Sequence, residues 1–244
     1  MIDLHNHILR YVVKLPVHPT EPDMDTAVRM AEIAAEDGIE TIVSTPHFRP
    51  HELGDRVEEM YELLHSAVGT LNAELQERGV NVHVIPGAEV AMCEHLPDLA
   101  ARGLLPTIGE GKHVLVELPA TSYAAYAEDV LFRLQLKGYK PVIAHLERLA
   151  DAPVRQISPR VLDERNIKLQ INCESLQGRR GRVVQEFAQR ILHDDLVAAL
   201  CSDAHDPDKS PPRLTPCRNA VERVGGAGSF ERVTQTRPLQ IIEG

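Results

Sequence analysis

Short apolar runs rich in β-branched residues alternate along this chain with longer stretches in which apolar residues recur every three or four positions. The short runs are MIDLHNH (1–7), ETIVSTPH (40–47), VHVIPGAE (82–89), HVLVELP (113–119), KPVIAHLE (140–147), KLQINCE (168–174) and LVAALCSDAH (196–205). Each has the length and composition of a strand. Between them, residues 25–37 place Ala27, Met30, Ala31 and Ala34 on one helical face, and 55–78, 123–137 and 181–193 also read as helices. A last helix is predicted to begin near Arg213. Gly38, Gly79, Gly103 and Gly138 each follow a helical stretch, where a C-terminal cap is expected. Strand–helix alternation throughout predicts a parallel sheet with the helices outside it. Seven such units are too many for a small open sheet and one short of the eight-fold barrel. The expected fold is therefore α/β, a distorted seven-stranded (β/α) TIM-like barrel forming a single domain over 1–244. A doubly wound open sheet is the alternative.

Composition narrows the function classes. A formal net charge of -10 argues against a broad surface for DNA or RNA, and the absence of Trp weakens any case for base stacking. No apolar run approaches the roughly 18 residues of a membrane span, and no signal-peptide pattern precedes the first strand, so a cytoplasmic protein is expected. Cys93, Cys173, Cys201 and Cys217 are widely spaced without a C-x-x-C pair. They read as reduced thiols, with Cys201 on a buried strand.

The strand ends carry the chemistry. In barrels and open α/β sheets alike, active sites form at the C-terminal ends of the strands. Here the first strand ends in His5 and His7, the second in His47, the third in Glu89, the fourth in Glu117, the fifth in His145 and the seventh in Asp203 and His205. His5 and His7, two apart on a strand, point to one face. A single histidine or glutamate after a strand is most often a solvated loop residue. Eight such residues in register on one rim are not explained that way. Carboxylates and imidazoles gathered without a cation are costly to hold together, and metal ions remove that cost. The other histidines differ: His65 lies in a helical pattern, His83 and His113 start strands, His95 and His193 sit near helix termini, and His51 follows His47 on a loop.

With DLHNH, TPH, GAE, VELP, AHLER and SDAH in that order, the chain resembles the polymerase-and-histidinol-phosphatase (PHP) superfamily of metal-dependent phosphoesterases over residues 3 to about 212. LFRLQLKGYKPVIAHLER, STPH followed by a long helix, and SDAHDPDKSPP make it most similar to the bacterial manganese-dependent protein-tyrosine phosphatases that accompany capsule and exopolysaccharide tyrosine kinases. The resemblance implies two or three divalent ions, Mn2+ first with Fe or Zn as alternatives. It places His5, His7, Glu89 and Asp203 around one ion, Glu89, Glu117 and His145 around a second, and His47 and His205 at a third. The family's usual Asp-Asp-Gly turn after its H-x-H is missing from ILRYVVKLPVHPTEPDMD. His18 falls nearest the position of its aspartate ligand, with Asp23 and then Glu21 behind it.

Arg148 of HLER matches the family's phosphate-binding arginine. A second family arginine is replaced by Ser210, for which Lys209 or Arg213 are the available substitutes. The resemblance further implies hydrolysis of phosphate monoesters, with Arg148 on the phosphate and Asp203 or His205 assisting proton transfer. The implied substrate is a phosphotyrosyl protein, the tail of a bacterial tyrosine kinase, and homo-oligomers are possible in the family. The competing readings are a small-molecule phosphatase or phosphodiesterase of the histidinol-phosphate or nucleotide type, and a non-catalytic metal-stabilised scaffold that binds a kinase.

Overall fold

A computed structural model describes residues 1–15, 21–119, 126–150 and 158–244. Its strands are β1 (Ile2–Asn6), β2 (Thr41–Ser44), β3 (His47–Phe48), β4 (His83–Pro86), β5 (Glu89–Ala91), β6 (His113–Glu117), β7 (Lys140–Ile143), β8 (Lys168–Asn172) and β9 (Val197–Cys201). All pairings between them are parallel. One sheet runs β1-β2-β4 and the other β3-β5-β6-β7-β8-β9.

The nine segments amount to seven strands. β3 continues β2 across Thr45-Pro46, and β5 continues β4 across Gly87-Ala88. Pro46 has no N–H to donate to a ladder. At Gly87 a Cβ would stand 2.7 Å from Val43 Cγ1 and 3.3 Å from the Ser44 carbonyl, so only glycine allows this approach. The ring is completed between β9 and β1 by a parallel bridge of Asn6 with Ala204. There the His7 N–H donates to the Ala204 carbonyl at 2.9 Å and the Asp203 N–H donates to the His5 carbonyl at 2.9 Å. This is the seven-stranded, distorted barrel expected from the alternation.

The main helices are α1 (Met24–Glu36), α2 (Val57–Glu77), α3 (Ala127–Leu136), α4 (Cys173–Leu176), α5 (Arg182–His193), α6 (Arg218–Gly225) and α7 (Arg237–Glu243). Asp23 caps α1 by accepting from the Thr26 N–H, and Ala27, Met30, Ala31 and Ala34 are on its buried face. The segment predicted at 123–137 begins outside the described residues. The helix predicted near Arg213 starts later, after a 3-10 turn at Thr215–Cys217, because Pro211, Pro212 and Pro216 break the approach. A large apolar cluster packs the helices on the strands through residues such as Met30, Leu64, Leu71 and Phe187. A smaller one joins Leu4, Val43, Leu115, Val142 and Cys201 to Ile241 of α7.

The cysteines depart from expectation. Cys173 and Cys217 are joined by a disulfide, with Cα atoms 5.7 Å apart, whereas Cys93 and Cys201 are free. Sequence spacing could not disclose it, because the two cysteines lie 44 positions apart and only the packing of α4 against the turn before α6 brings them together.

Candidate metal centre

Six of the seven strands deliver a ligand-type side chain, either where the strand ends or at a break within it. His5 and His7, fully buried, lie at the end of β1. His47 and Glu89 open β3 and β5 and are register partners, so the breaks in those strands set them side by side. Glu117 closes β6. His145 follows β7 and Asp203 follows β9, both with left-handed backbones (φ 31° and 52°). For non-glycine residues this conformation is strained and persists only where the surroundings enforce it, a condition common at functional sites.

All eight side chains converge. His5 Nε2 and His7 Nε2 are 3.1 Å apart, and Asp203 Oδ1 lies 3.3 Å and 3.1 Å from them. Glu89 sits at the centre. Its Oε1 is 2.7 Å from His145 Nε2, and its Oε2 is 2.6 Å from His47 Nδ1 and 3.5 Å from both His5 and His7. Glu117 Oε1 lies 3.9 Å from His145 Nε2, and the His205 ring stacks on His7 at 3.8 Å. Among the described residues, four triads bring one ligand atom from each member within 4.8 Å of one another: His7–His47–His205, His5–His7–Glu89, His5–His145–Asp203 and His47–Glu89–Glu117.

The electrostatics have the form that cations require. Burial opposes ionisation of Glu89, yet His5, His145 and His47 hold its carboxyl well below the usual range. Burial likewise opposes Asp203, and His5, His7 and Arg148 overcome it. Burial pushes the His7 imidazole well down and lowers His205, leaving lone pairs available. Burial would also lower His5, but Asp203 and Glu89 beside it raise it to about 9. These two buried carboxylates therefore draw positive charge to the point where the imidazole nitrogens meet them. The donor set of nitrogen and oxygen, with no thiolate, suits divalent ions of borderline hardness.

A family model described as capsular polysaccharide synthesis, CpsB/CapC, matches residues 1–243. The chain belongs to the CpsB/CapC family. It is similar to the tyrosine-protein phosphatase YwqE of Bacillus subtilis (strain 168), 34% identical over 207 residues that make up 84% of this chain and 78% of that one. It is also similar to the tyrosine-protein phosphatase CpsB of Streptococcus pneumoniae, 24% identical over 251 residues, 99% of this chain and 98% of that one. A solved structure from work on these two proteins, called unique metal-dependent tyrosine phosphatases, superposes with a TM-score of 0.82 at 28% identity, covering 100% of this chain and 94% of that one. An adenine deaminase from Arthrobacter aurescens, at TM-score 0.52 and 14% identity, shares the fold alone.

In this CpsB/CapC chain Arg148 stands partly exposed at the edge of the cluster, donating to Glu174 Oε1 at 3.0 Å and to Asp203 Oδ2 at 2.5 Å. His18 lies outside the described residues. Of its alternatives, Asp23 is engaged as the α1 cap and Glu21 pairs with Lys14, both exposed. Arg213 pairs with Glu36, while Lys209 lines a small pocket with Glu174, Arg179 and Ser210. His51 is exposed beside Glu52. His113 is held at the other end of its strand by the Ile241 carbonyl, 2.9 Å from Nδ1.

Sequence reading missed the braces behind the cluster. Gln170 Oε1 accepts from the His145 N–H at 2.9 Å and lies 3.2 Å from His5 Nδ1. Asn172 donates to Asp203 Oδ2 at 2.9 Å, and its own N–H is held by the buried Glu147. Asp3 accepts from the Ser202 N–H, the Ser202 hydroxyl and Asn6 Nδ2, tying the segment bearing His5 to the one bearing Asp203. The available signal was the alternation in KLQIN, which puts two amides on one face of a strand that contributes no ligand-type side chain to the rim.

Proposed function

We propose that this chain is a metal-dependent protein-tyrosine phosphatase that removes phosphate from tyrosines on a bacterial tyrosine kinase of polysaccharide synthesis. The observation that carries the reading is the convergence of eight strand-end histidines and carboxylates on one buried cluster, in a chain of the CpsB/CapC family that is similar to named tyrosine-protein phosphatases. Phosphoryl transfer to water loads negative charge on the phosphate oxygens, and clustered divalent ions stabilise that charge and make water a better nucleophile. His5, His7, Glu89 and Asp203 would hold one ion, Glu89, Glu117 and His145 a second, and His47, His205 and His18 a third. Mn2+ is the first assignment, with Fe or Zn as alternatives, because the donors are imidazoles and carboxylates.

Arg148 is assigned to two oxygens of the substrate phosphate. Its fork matches them, and it reaches the cluster edge through Asp203. We assign Asp203 or His205 to assist proton transfer to the departing oxygen. We assign the reaction to the cytoplasm, where a kinase draws its ATP, and the whole chain to one catalytic domain that can form homo-oligomers.

The test combines elemental analysis with turnover of a phosphotyrosyl peptide, histidinol phosphate and bis-nitrophenyl phosphate. The purified protein is expected to carry two or three transition-metal ions per chain and to prefer the peptide. Glu89→Gln should abolish turnover and lower metal content by at least one ion, and His18→Ala should remove about one ion with the fold intact. A metal-free protein after gentle purification, or Glu89→Gln with wild-type rate and metal, sinks the assignment.

A further inference from the structure

Among the described residues, one hollow lies beside Ser202, next to Asp203, and another reaches Glu117. The one lined by Lys209, Arg179 and Glu174 measures about 110 Å³. The other, about 700 Å³, opens over Glu117, the member of the cluster that ends β6. Met92, Leu118, Pro119 and Tyr126 give it an apolar side, and Arg49, His51, Glu52, Glu94 and His95 a polar one. The Tyr126 hydroxyl donates to the Met92 carbonyl at 3.4 Å, which fixes the ring on the groove wall. Met92 and Leu118 are nearly buried, so the wall is a packed surface that a ligand meets without first having to order it.

We propose that this groove is the subsite for the leaving group: the tyrosyl ring of the substrate lies against Tyr126, Met92 and Leu118, and the adjoining peptide runs past Arg49. The inference rests on the phosphatase reading above. With its non-bridging oxygens held at the cluster and by Arg148, a phosphate ester must extend its organic part away from Arg148. Of these two hollows, the one that opens over Glu117 is the larger and has an apolar, aromatic wall, while the one beside Arg148's partner Glu174 is small and has no aromatic residue in its lining. A planar ring gains from an aromatic neighbour and from a thioether sulfur, and an alkyl phosphate gains little from either. Selectivity for aryl esters would then reside in the groove and not in the metal ligands.

Tyr126→Ala separates the two. It should raise KM for a phosphotyrosyl peptide about tenfold. Metal content, kcat and the inhibition constant of inorganic phosphate, which fills only the cluster end, should stay at wild-type values. Tyr126→Phe, which keeps the ring, should restore most of the affinity. Calorimetric binding of a non-hydrolysable phosphonate peptide should weaken in the same order without turnover. Unchanged KM in Tyr126→Ala, or phosphate inhibition weakening in step with KM, overturns the groove assignment. A wild-type chain that ignores the peptide yet hydrolyses an alkyl phosphate overturns the tyrosine reading itself, a distinguishable result.

Discussion

Arg148 has two partners among the described residues and one proposed task. It donates to Glu174 and to Asp203, and both bonds are charge-assisted. Asp203 also faces His5 and His7, so its carboxylate is shared between the guanidinium and the ligand cluster. A bidentate guanidinium–phosphate contact is worth about 1.5–3 kcal/mol. Arg148→Ala is therefore expected to lower kcat/KM for a phosphotyrosyl peptide by at least tenfold with metal content unchanged, and Arg148→Lys to recover only part. Loss of a metal ion in Arg148→Ala would make it a support for Asp203 instead. At this scale the sequence was readable where a residue type has few uses: imidazoles and carboxylates at strand ends announce themselves. Gln170, Asn172 and Asp3 did not, because an amide or a lone aspartate in a strand has the same appearance whether it braces a ligand or is solvated. Their roles depend on neighbours such as His145 and Ser202, distant in sequence.

The strands were legible as seven units because each apolar run is short, β-branched and closed by turn residues. What the pattern did not show is that two of them are broken, at Thr45-Pro46 and at Gly87-Ala88. A break leaves the apolar run intact and changes only the local path, so periodicity is blind to it. The second break depends on Gly87, whose missing side chain admits Val43. Since Glu89 follows two residues later and is central to the cluster, a disturbance at Gly87 reaches the ligands directly. Gly87→Ala should cost about 1–3 kcal/mol in denaturant unfolding through overpacking, and should also lower metal content. Stability lost with full metal retention would show that Glu89 is positioned independently of the break.

For the molecule as a whole, the parallel ring is completed where the segment after β9 meets β1, and the backbone hydrogen bonds there are made by His5, His7, Asp203 and Ala204. Closure of the fold and assembly of the ligand cluster are thus one event. The Cys173–Cys217 bond lies nearby, between α4, which carries Glu174, and the turn before α6, with both cysteines almost fully buried. Closing a loop of this length typically adds about 2–4 kcal/mol, mainly by restricting the unfolded chain. Cys217→Ala should lower stability by that order in guanidinium melts run without reductant, and wild type with reductant should approach it. Equal stability under all three conditions would show that the cross-link contributes nothing.

That covalent loop also changes how the chain can come apart. It encloses β9 and the SDAH segment, so a protease cutting one peptide bond between Cys173 and Cys217 leaves two fragments that remain a single particle of 27.1 kDa on a non-reducing gel. The nicked protein would part only on addition of a thiol, and until then it would keep Asp203 and His205 tethered to the histidines of β1.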